Sequence, residues 1–564
     1  MRSALVIRFL LAASCLASSV AVAQPPASRT GASRRGIDVM QYVFRVEFPR
    51  TGFPDTVRFS AATTARRAPG IDALWLDLAA AMQVDSVHLG VARVPFTRSG
   101  DSVRVALPGA GGDTISVTVH YRGTPTDGLI IRRDPALGWT AFGDNFPDRA
   151  RQWLAVVDHP SDKALVAWDV VAPATHRVIA NGALLEETPL AAADGGVRMV
   201  RTRWRTERPI YTAVMVIGVA PFAVLELGPT ACGLAELPGC VAQSVWTTPA
   251  QRSTVPGSFE RAGEIVALFA RLAGPFPYEK LAHVSSSTRY GGMENAGAIF
   301  YASPLFRPGS PGESLIAHET AHQWFGDAVT EREWPDVWLS EGFATYFAAL
   351  WTEHAHGQAD FRSELARMRE QVLRAPVTAS TPVINEELSD LRNVLNSNVY
   401  QKAGFVLHML RREIGDSSFF RAIRAHYVAH RHANSSTAEL QAAFEAEAGR
   451  PLDWFFTQWL RRPGFAEVTP GWSWDAARRT VVVTVAQGTR FAPYRLSLSV
   501  DVTDADGQVR RVRLAVPAQA TATLDVPGPF SAPPRRVEFD PDVSILGVVS
   551  APPARPATPG RGRR

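Results

Sequence analysis

The sequence predicts an α+β chain of several domains, with an all-β N-terminal part, a mostly helical middle and a small C-terminal β-sandwich. Three observations predict it. The length, 564 residues, corresponds to about three or four domains at roughly 100–200 residues each. The composition, 46% hydrophobic and 20% charged, is that of an ordinary globular protein and excludes wholesale disorder. The hydrophobic period switches twice, from two-residue alternation to helical spacing near Ser253 and back to alternation near Glu467. No internal repeat at a fixed period is present.

Residues 1–23 read as an export signal. A basic start with Arg2 and Arg8 precedes an apolar run, and Ala21-Val22-Ala23 has the small-x-small form of a cleavage site. Cleavage there would leave the mature chain in the periplasm or outside the cell, with no stable membrane span; an anchor helix that stays in place is the alternative. Lipid anchoring at Cys15 is a weaker reading, because Ala12-Ala13-Ser14 makes a poor approach to it. Residues 24–36, rich in Pro, Ser and Arg, read as a disordered linker.

From 37 to 250 short β-like runs alternate with turns, as at 41–48, 102–107, 114–121 and 164–172. Cys232 and Cys240 fall here in a Gly/Pro-containing loop, and in an exported chain they are either a small disulfide loop or two free thiols. From 251 to 464 helical signals dominate, beginning with an amphipathic stretch at 258–272 that Pro275-Phe276-Pro277 stops. From 465 to 549 the strand pattern returns, with runs at 480–485, 494–502, 509–516 and 521–526 that fit a small sandwich. Residues 550–564 form a Pro/Gly/Arg-rich tail that reads as disordered.

The net charge of +5 invites a nucleic-acid reading, but its location opposes one. Arg2, Arg8, Arg29, Arg34 and Arg35 lie before Ile37, and Arg555, Arg561, Arg563 and Arg564 lie after Ser550, with no acid in either segment. Removing those nine from +5 leaves −4 for the body of the chain, so no nucleic-acid footprint is expected.

The chemistry is concentrated between Gly291 and Tyr400. Ser310-Pro311-Gly312-Glu313 has the form of a helix-capping box, and the helix it opens carries His318-Glu319-Thr320-Ala321-His322. Two histidines four apart project from one helical face, which suits two zinc ligands. Glu319 lies beside the metal position without being forced to ligate it, so it can take a proton from water and later deliver one to a leaving amine. Glu341, in Trp338-Leu339-Ser340-Glu341-Gly342, lies on a second helix read over 335–354. A short connection can fold it back as the third ligand of a site holding one Zn²⁺ per chain. A buried His-Glu-His face with no metal would be costly.

At these residues the chain resembles the M1 aminopeptidases, gluzincins with a saddle-like N-terminal β domain and a thermolysin-like catalytic domain. The stretch HETAHQWFGDAVTEREWPDVWLSEGFATY carries the resemblance first. Tyr290-Gly291-Gly292-Met293-Glu294-Asn295-Ala296-Gly297 is similar to the family's GxMEN loop, with Gly292 where Ala is common. Asn398-Val399-Tyr400-Gln401-Lys402-Ala403-Gly404 is similar to the tyrosine-bearing helix, with Ala403 standing where many members run Lys-Gly directly. Arg151-Gln152-Trp153 with Asp158-His159-Pro160-Ser161-Asp162-Lys163-Ala164 resembles the end of the β domain, and Phe455-Phe456-Thr457-Gln458-Trp459 the end of the catalytic domain.

The resemblance implies an aminopeptidase acting on peptides with a free N-terminal amine. Glu294 would hold the α-ammonium, and the loop around it (Gly291, Gly292, Met293, Asn295) would line the substrate, the two glycines pairing with it through backbone. Tyr400 would donate to the developing oxyanion. A second amine anchor is expected just before Arg151, where the usual Gln or Glu is missing and Asp144 or Asn145 would substitute. Three other readings compete: a thermolysin-like endopeptidase with the same metal set, an epoxide hydrolase as in one branch of the family, and a non-catalytic peptide-binding homologue.

Overall fold

The structure is a computed structural model, and it describes residues 36–109, 114–191, 197–232, 234, 239–309 and 312–550. The export signal (1–23), nearly all of the linker (24–36) and the tail after Ser550 lie outside the described residues.

The N-terminal part is built on a large sheet whose central strand, Ile37–Glu47, runs antiparallel to Val57–Arg67 and parallel to Lys163–Pro173. Its alternation shows why the register is fixed. Ile37 and Val39 are buried; the register then shifts between Val39 and Gln41, and Tyr42, Phe44 and Val46 become the buried set. One extra residue moves every later side chain to the other face, so the bulge is what keeps the apolar face inward. Gly138–Gly143, an inner strand of a four-stranded sheet, delivers the chain to Asp144. Cys232 and Cys240 are joined in a disulfide.

The boundary drawn at residue 250 needs correction. A five-stranded sheet runs in the order Ala223–Thr230, Val241–Thr247, Leu281–Ser286, Ala298–Ala302, Gly292–Met293. Strands on both sides of residue 250 therefore pair directly, Val245 opposite His283. The change of period marks the first helix, and the sheet continues across it.

The helical part follows. Helix α1 spans Ala262–Ala273, α2 Glu313–His322, α3 Trp338–His356, α4 Gln358–Arg374, α5 Pro376–Ser380, α6 Ala403–Ile414, α7 Asp416–His430, α8 Thr437–Ala448 and α9 Asp453–Leu460. α2 and α3 pack side by side, and both are buried over most of their surface. They run antiparallel: the end of α3 reaches the start of α2, where Trp351 Nε1 and His356 Nε2 meet Glu313 Oε2 at 3.1 and 3.0 Å. Glu313 is thus the first residue of α2 and pairs with these groups and Arg261, instead of turning back as the last member of a capping box. Ser310 and Pro311 lie outside the described residues.

Lys163 joins the β part to this region. Its ammonium is buried and donates to the carbonyls of Asp327, Ala328 and Ala433 and to Thr330 Oγ1, at 2.7–3.3 Å. Burial pulls its pKa down to about 7, so these acceptors supply what the lost water supplied. The C-terminal part consists of a four-stranded and a three-stranded sheet with period-two burial, Val481, Val483 and Val485 in one and Leu498, Val500 and Val502 in the other. It holds α4 in place, Arg369 Nη1 donating to Asp540 Oδ2 at 2.8 Å. Among the described residues no helix is long and apolar enough to cross a membrane.

Candidate active site

α2 places His318 and His322 one turn apart, with their Nε2 atoms 3.2 Å from each other. Glu341 Oε2 lies 3.4 Å from the first and 3.3 Å from the second. A metal bonded to N and O donors at about 2.0–2.1 Å in tetrahedral geometry separates its ligand atoms by about 3.3–3.4 Å, so the triangle has the size a zinc ion needs. Glu341 Oε2 is buried without a hydrogen-bond partner, and a buried carboxylate oxygen left so is expensive unless a cation takes it up.

The chain reaches this geometry through Gly326, whose φ of +119° ends the helical segment. A Cβ there would meet Ser340 Oγ at 2.3 Å and His322 Nδ1 at 3.1 Å. The space is reserved for a hydrogen bond: His322 Nδ1 lies 2.9 Å from Ser340 Oγ and 3.2 Å from the Phe325 carbonyl. With the Nδ1 proton donated there, Nε2 is left with its lone pair toward the metal position. Ser340 carried no sequence signal beyond preceding Glu341. Ser340→Ala is expected to weaken zinc affinity by about 10–100-fold without unfolding the chain. Metal competition against a chelator of known affinity, with circular dichroism in parallel, measures both.

Glu319 is buried beside the triangle, and the loop 291–297 runs against it. A Cβ on Gly292 would lie 2.2 Å from Glu319 Oε1, so the backbone passes closer than any side chain allows. Gly292–Met293 pairs antiparallel with Ala298–Ala302, Met293 opposite Phe300, and is the edge strand of its sheet. Its free edge can accept an extended peptide. Glu294 is buried next, with a carboxylate oxygen within 4.8 Å of donor atoms of Glu319 and His322. The loop is fastened to α2 by Gln323, which sequence reasoning missed. Its Nε2 donates to the Glu294 carbonyl at 2.7 Å and its Oε1 accepts from Gly297 N at 2.8 Å.

The electrostatics describe a pocket built around a cation. Burial pushes the Glu319 carboxyl well above the usual range; His322 opposes this, and Glu294 and Glu341 add to it. Burial also raises Glu294. Burial acts on Glu341 too, yet the two histidines outweigh it and hold that carboxyl down, to about 2. Three carboxylates crowd two imidazoles with, among the described residues, no lysine or arginine lining the space, a donor set that suits a divalent metal.

Tyr400 stands on the far side, its hydroxyl donating to Glu341 Oε1 at 2.8 Å and its ring stacked on His318. It lies on a π-helical turn, Asn398–Lys402, that runs into α6. A π-turn holds one residue more than an α-turn, and Ala403 follows it as the first residue of α6. Gly342 and Gly404 let α3 and this segment approach: a Cβ on Gly342 would lie 2.7 Å from the Ala403 Cβ, and one on Gly404 3.0 Å from Thr345 Cγ2.

These groups line one cavity of about 590 Å³, together with Phe146, Tyr290, Leu315, Thr345 and Glu364. Gly291, Gly292, Met293 and Glu294 all face it. Three residues do not. Asp144 is fully buried and its two oxygens are taken by Arg149 Nη2 at 2.9 Å and the backbone N of Arg289 at 3.2 Å. Asn145 donates to the carbonyls of Thr212 and Met215 and accepts from Trp153 Nε1. Neither has a free group for a substrate amine, so the expectation of a second anchor here is corrected. Asn295 is buried outside the cavity lining, its amide toward the Met293 carbonyl, and supports the loop from behind.

Residues 259–459 match the Peptidase family M1 domain. The tricorn protease-interacting factor F2 of Thermoplasma acidophilum is 26% identical over 442 residues, 74% of this chain and 53% of that protein. Aminopeptidase N of Streptomyces lividans is 30% identical over 271 residues, 44% of this chain and 31% of that protein. The chain thus spans about half, or less, of the length of these relatives. Among solved structures, the M1 zinc metallopeptidase of Deinococcus radiodurans superposes with a TM-score of 0.64 at 25% identity, covering 76% of this chain and 94% of its own.

Proposed function

Because residues 259–459 match the Peptidase family M1 domain, we propose that the chain is a zinc-dependent aminopeptidase that removes the first residue of a peptide. The observation that carries the reading is the placement of Glu294. A buried carboxylate just past the end of an edge strand, within 4.8 Å of Glu319 and His322, leaves room for one residue between a bound amine and the point of attack.

His318, His322 and Glu341 would hold the zinc ion, which when bound supplies Lewis acidity toward the carbonyl and lowers the pKa of a water. The chain's own residues do the rest. Glu294 receives the substrate ammonium, and the edge backbone at Gly291 and Gly292 aligns the peptide. Glu319 takes the proton from the attacking water and passes it to the departing amine, a transfer suited to a carboxyl whose pKa burial has raised. Tyr400 turns its hydroxyl from Glu341 to the oxygen of the tetrahedral carbon. The products are one amino acid and a shortened peptide.

Aminoacyl amide reporters with free and acetylated amines test this. Glu294→Ala is expected to lower kcat/KM for the free-amine reporters by about 10–100-fold, the value of a buried charged hydrogen bond, mainly through KM. Zinc content should not change. Equal cleavage of acetylated reporters by the wild-type chain would replace this reading with an endopeptidase.

A further inference from the structure

Three of the four glutamates in the cavity lining have roles: Glu294, Glu319 and Glu341. The fourth, Glu364, has none. It occupies an unusual position on α4. The buried residues of that helix are Phe361, Leu365, Met368 and Val372, spaced as one apolar stripe. Glu364 falls three residues after Phe361 and four before Met368, within that stripe instead of on the solvent side. A carboxylate in an apolar stripe at a cavity wall calls for a partner. Among the described residues its Oε2 meets the Arg367 guanidinium, and no group bonds Oε1. Arg367 is two-thirds exposed, and such a surface pair is weak.

The position of Glu364 relative to the metal donors follows from the helices. The Glu294 loop is tied to the C-terminal end of α2 through Gln323. Leu315, Thr345, Ala348 and Glu364 lie the other way, toward the N-terminal end of α2, which adjoins the later turns of antiparallel α3. Thr345 is about one turn, 5.4 Å, beyond Glu341 on α3. A peptide whose amine is held at Glu294 therefore places its first carbonyl at the donors and its second residue, about 3.3 Å per residue onward, toward Glu364. Among the described residues no lysine or arginine lines the cavity.

We propose that Glu364 forms a subsite for the second residue of the substrate and selects a basic side chain there, lysine or arginine, over neutral or acidic ones. This rests on the aminopeptidase reading above. A guanidinium can bond Oε1 and share the carboxylate with Arg367; a second carboxylate would be repelled.

The test uses the zinc-loaded full chain and the peptides Ala-Arg-Ala-Ala, Ala-Gln-Ala-Ala and Ala-Glu-Ala-Ala, with alanine release followed by mass spectrometry. The expected kcat/KM ratio of the Arg to the Gln peptide is about tenfold, falling to about one in Glu364→Gln. In Glu364→Lys the Glu peptide should overtake the Arg peptide. A wild-type ratio near one, or a ratio unchanged in both variants, overturns the subsite while leaving the aminopeptidase intact. If no peptide releases alanine, the underlying reading fails, and calorimetry with the same peptides on the Glu319→Gln chain decides the subsite: tighter binding of the Arg peptide supports it, equal Kd values overturn it.

Discussion

Glu319→Gln is expected to lower kcat on free-amine substrates by about 10⁴, the upper end of what a general base that also serves as acid contributes, while zinc content stays at that of the wild-type chain. Glu319 is not one of the three atoms that form the donor triangle, which His318, His322 and Glu341 complete without it. The amide is the same size as the carboxyl and fits the narrow space against Gly292, so the fold should not respond. It can neither accept the water's proton nor carry one to the leaving amine. Single-turnover measurements with metal analysis on the same sample check both halves. A variant that keeps more than about one hundredth of the wild-type kcat would remove Glu319 from the chemistry.

The second large effect belongs to Tyr400. Tyr400→Phe should reduce kcat by about 10²–10³, the cost of one lost oxyanion donor, with KM close to the wild-type value. The hydroxyl bonds Glu341 in the free chain and has to exchange that partner for the substrate oxygen, so its worth appears only as charge develops. Burial and the neighbouring Glu341 raise its pKa well above the usual phenol, which keeps it a donor at every working pH. A purely structural tyrosine would instead change thermal stability and zinc affinity with kcat preserved. Pre-steady-state kinetics beside a thermal melt separates the two cases.

The donor triangle was legible in the sequence because helix geometry converts spacing into direction. His318 and His322 must share a face, and Glu341 needs only a short return to reach them. The anchors before Arg151 were misread for the opposite reason. Whether Asp144 is free depends on Arg149 in a nearby turn and on Arg289 from another part of the chain, and no local pattern reports that. Asn145 is spent on carbonyls at Thr212 and Met215, equally remote. Ser340 and Gln323 neighbour recognised ligands, yet their roles are set by which groups face them across α2, α3 and the 291–297 loop. The boundary at 250 followed a change of period, whereas strand pairing between Val241–Thr247 and Leu281–Ser286 joins segments that differ in neighbouring pattern. Glu364 was invisible because a charged residue in a polar helix attracts no notice until its stripe is known to face a cavity.

The most direct measurement is the product ladder of one octapeptide with a free N-terminus and of its acetylated twin, each incubated with the zinc-loaded chain and followed by mass spectrometry. The free peptide is expected to lose single residues stepwise from its N-terminus, a loss abolished by a zinc chelator and restored by zinc, and the acetylated twin to stay unchanged. Internal fragments from either peptide, or equal digestion of both, would contradict it.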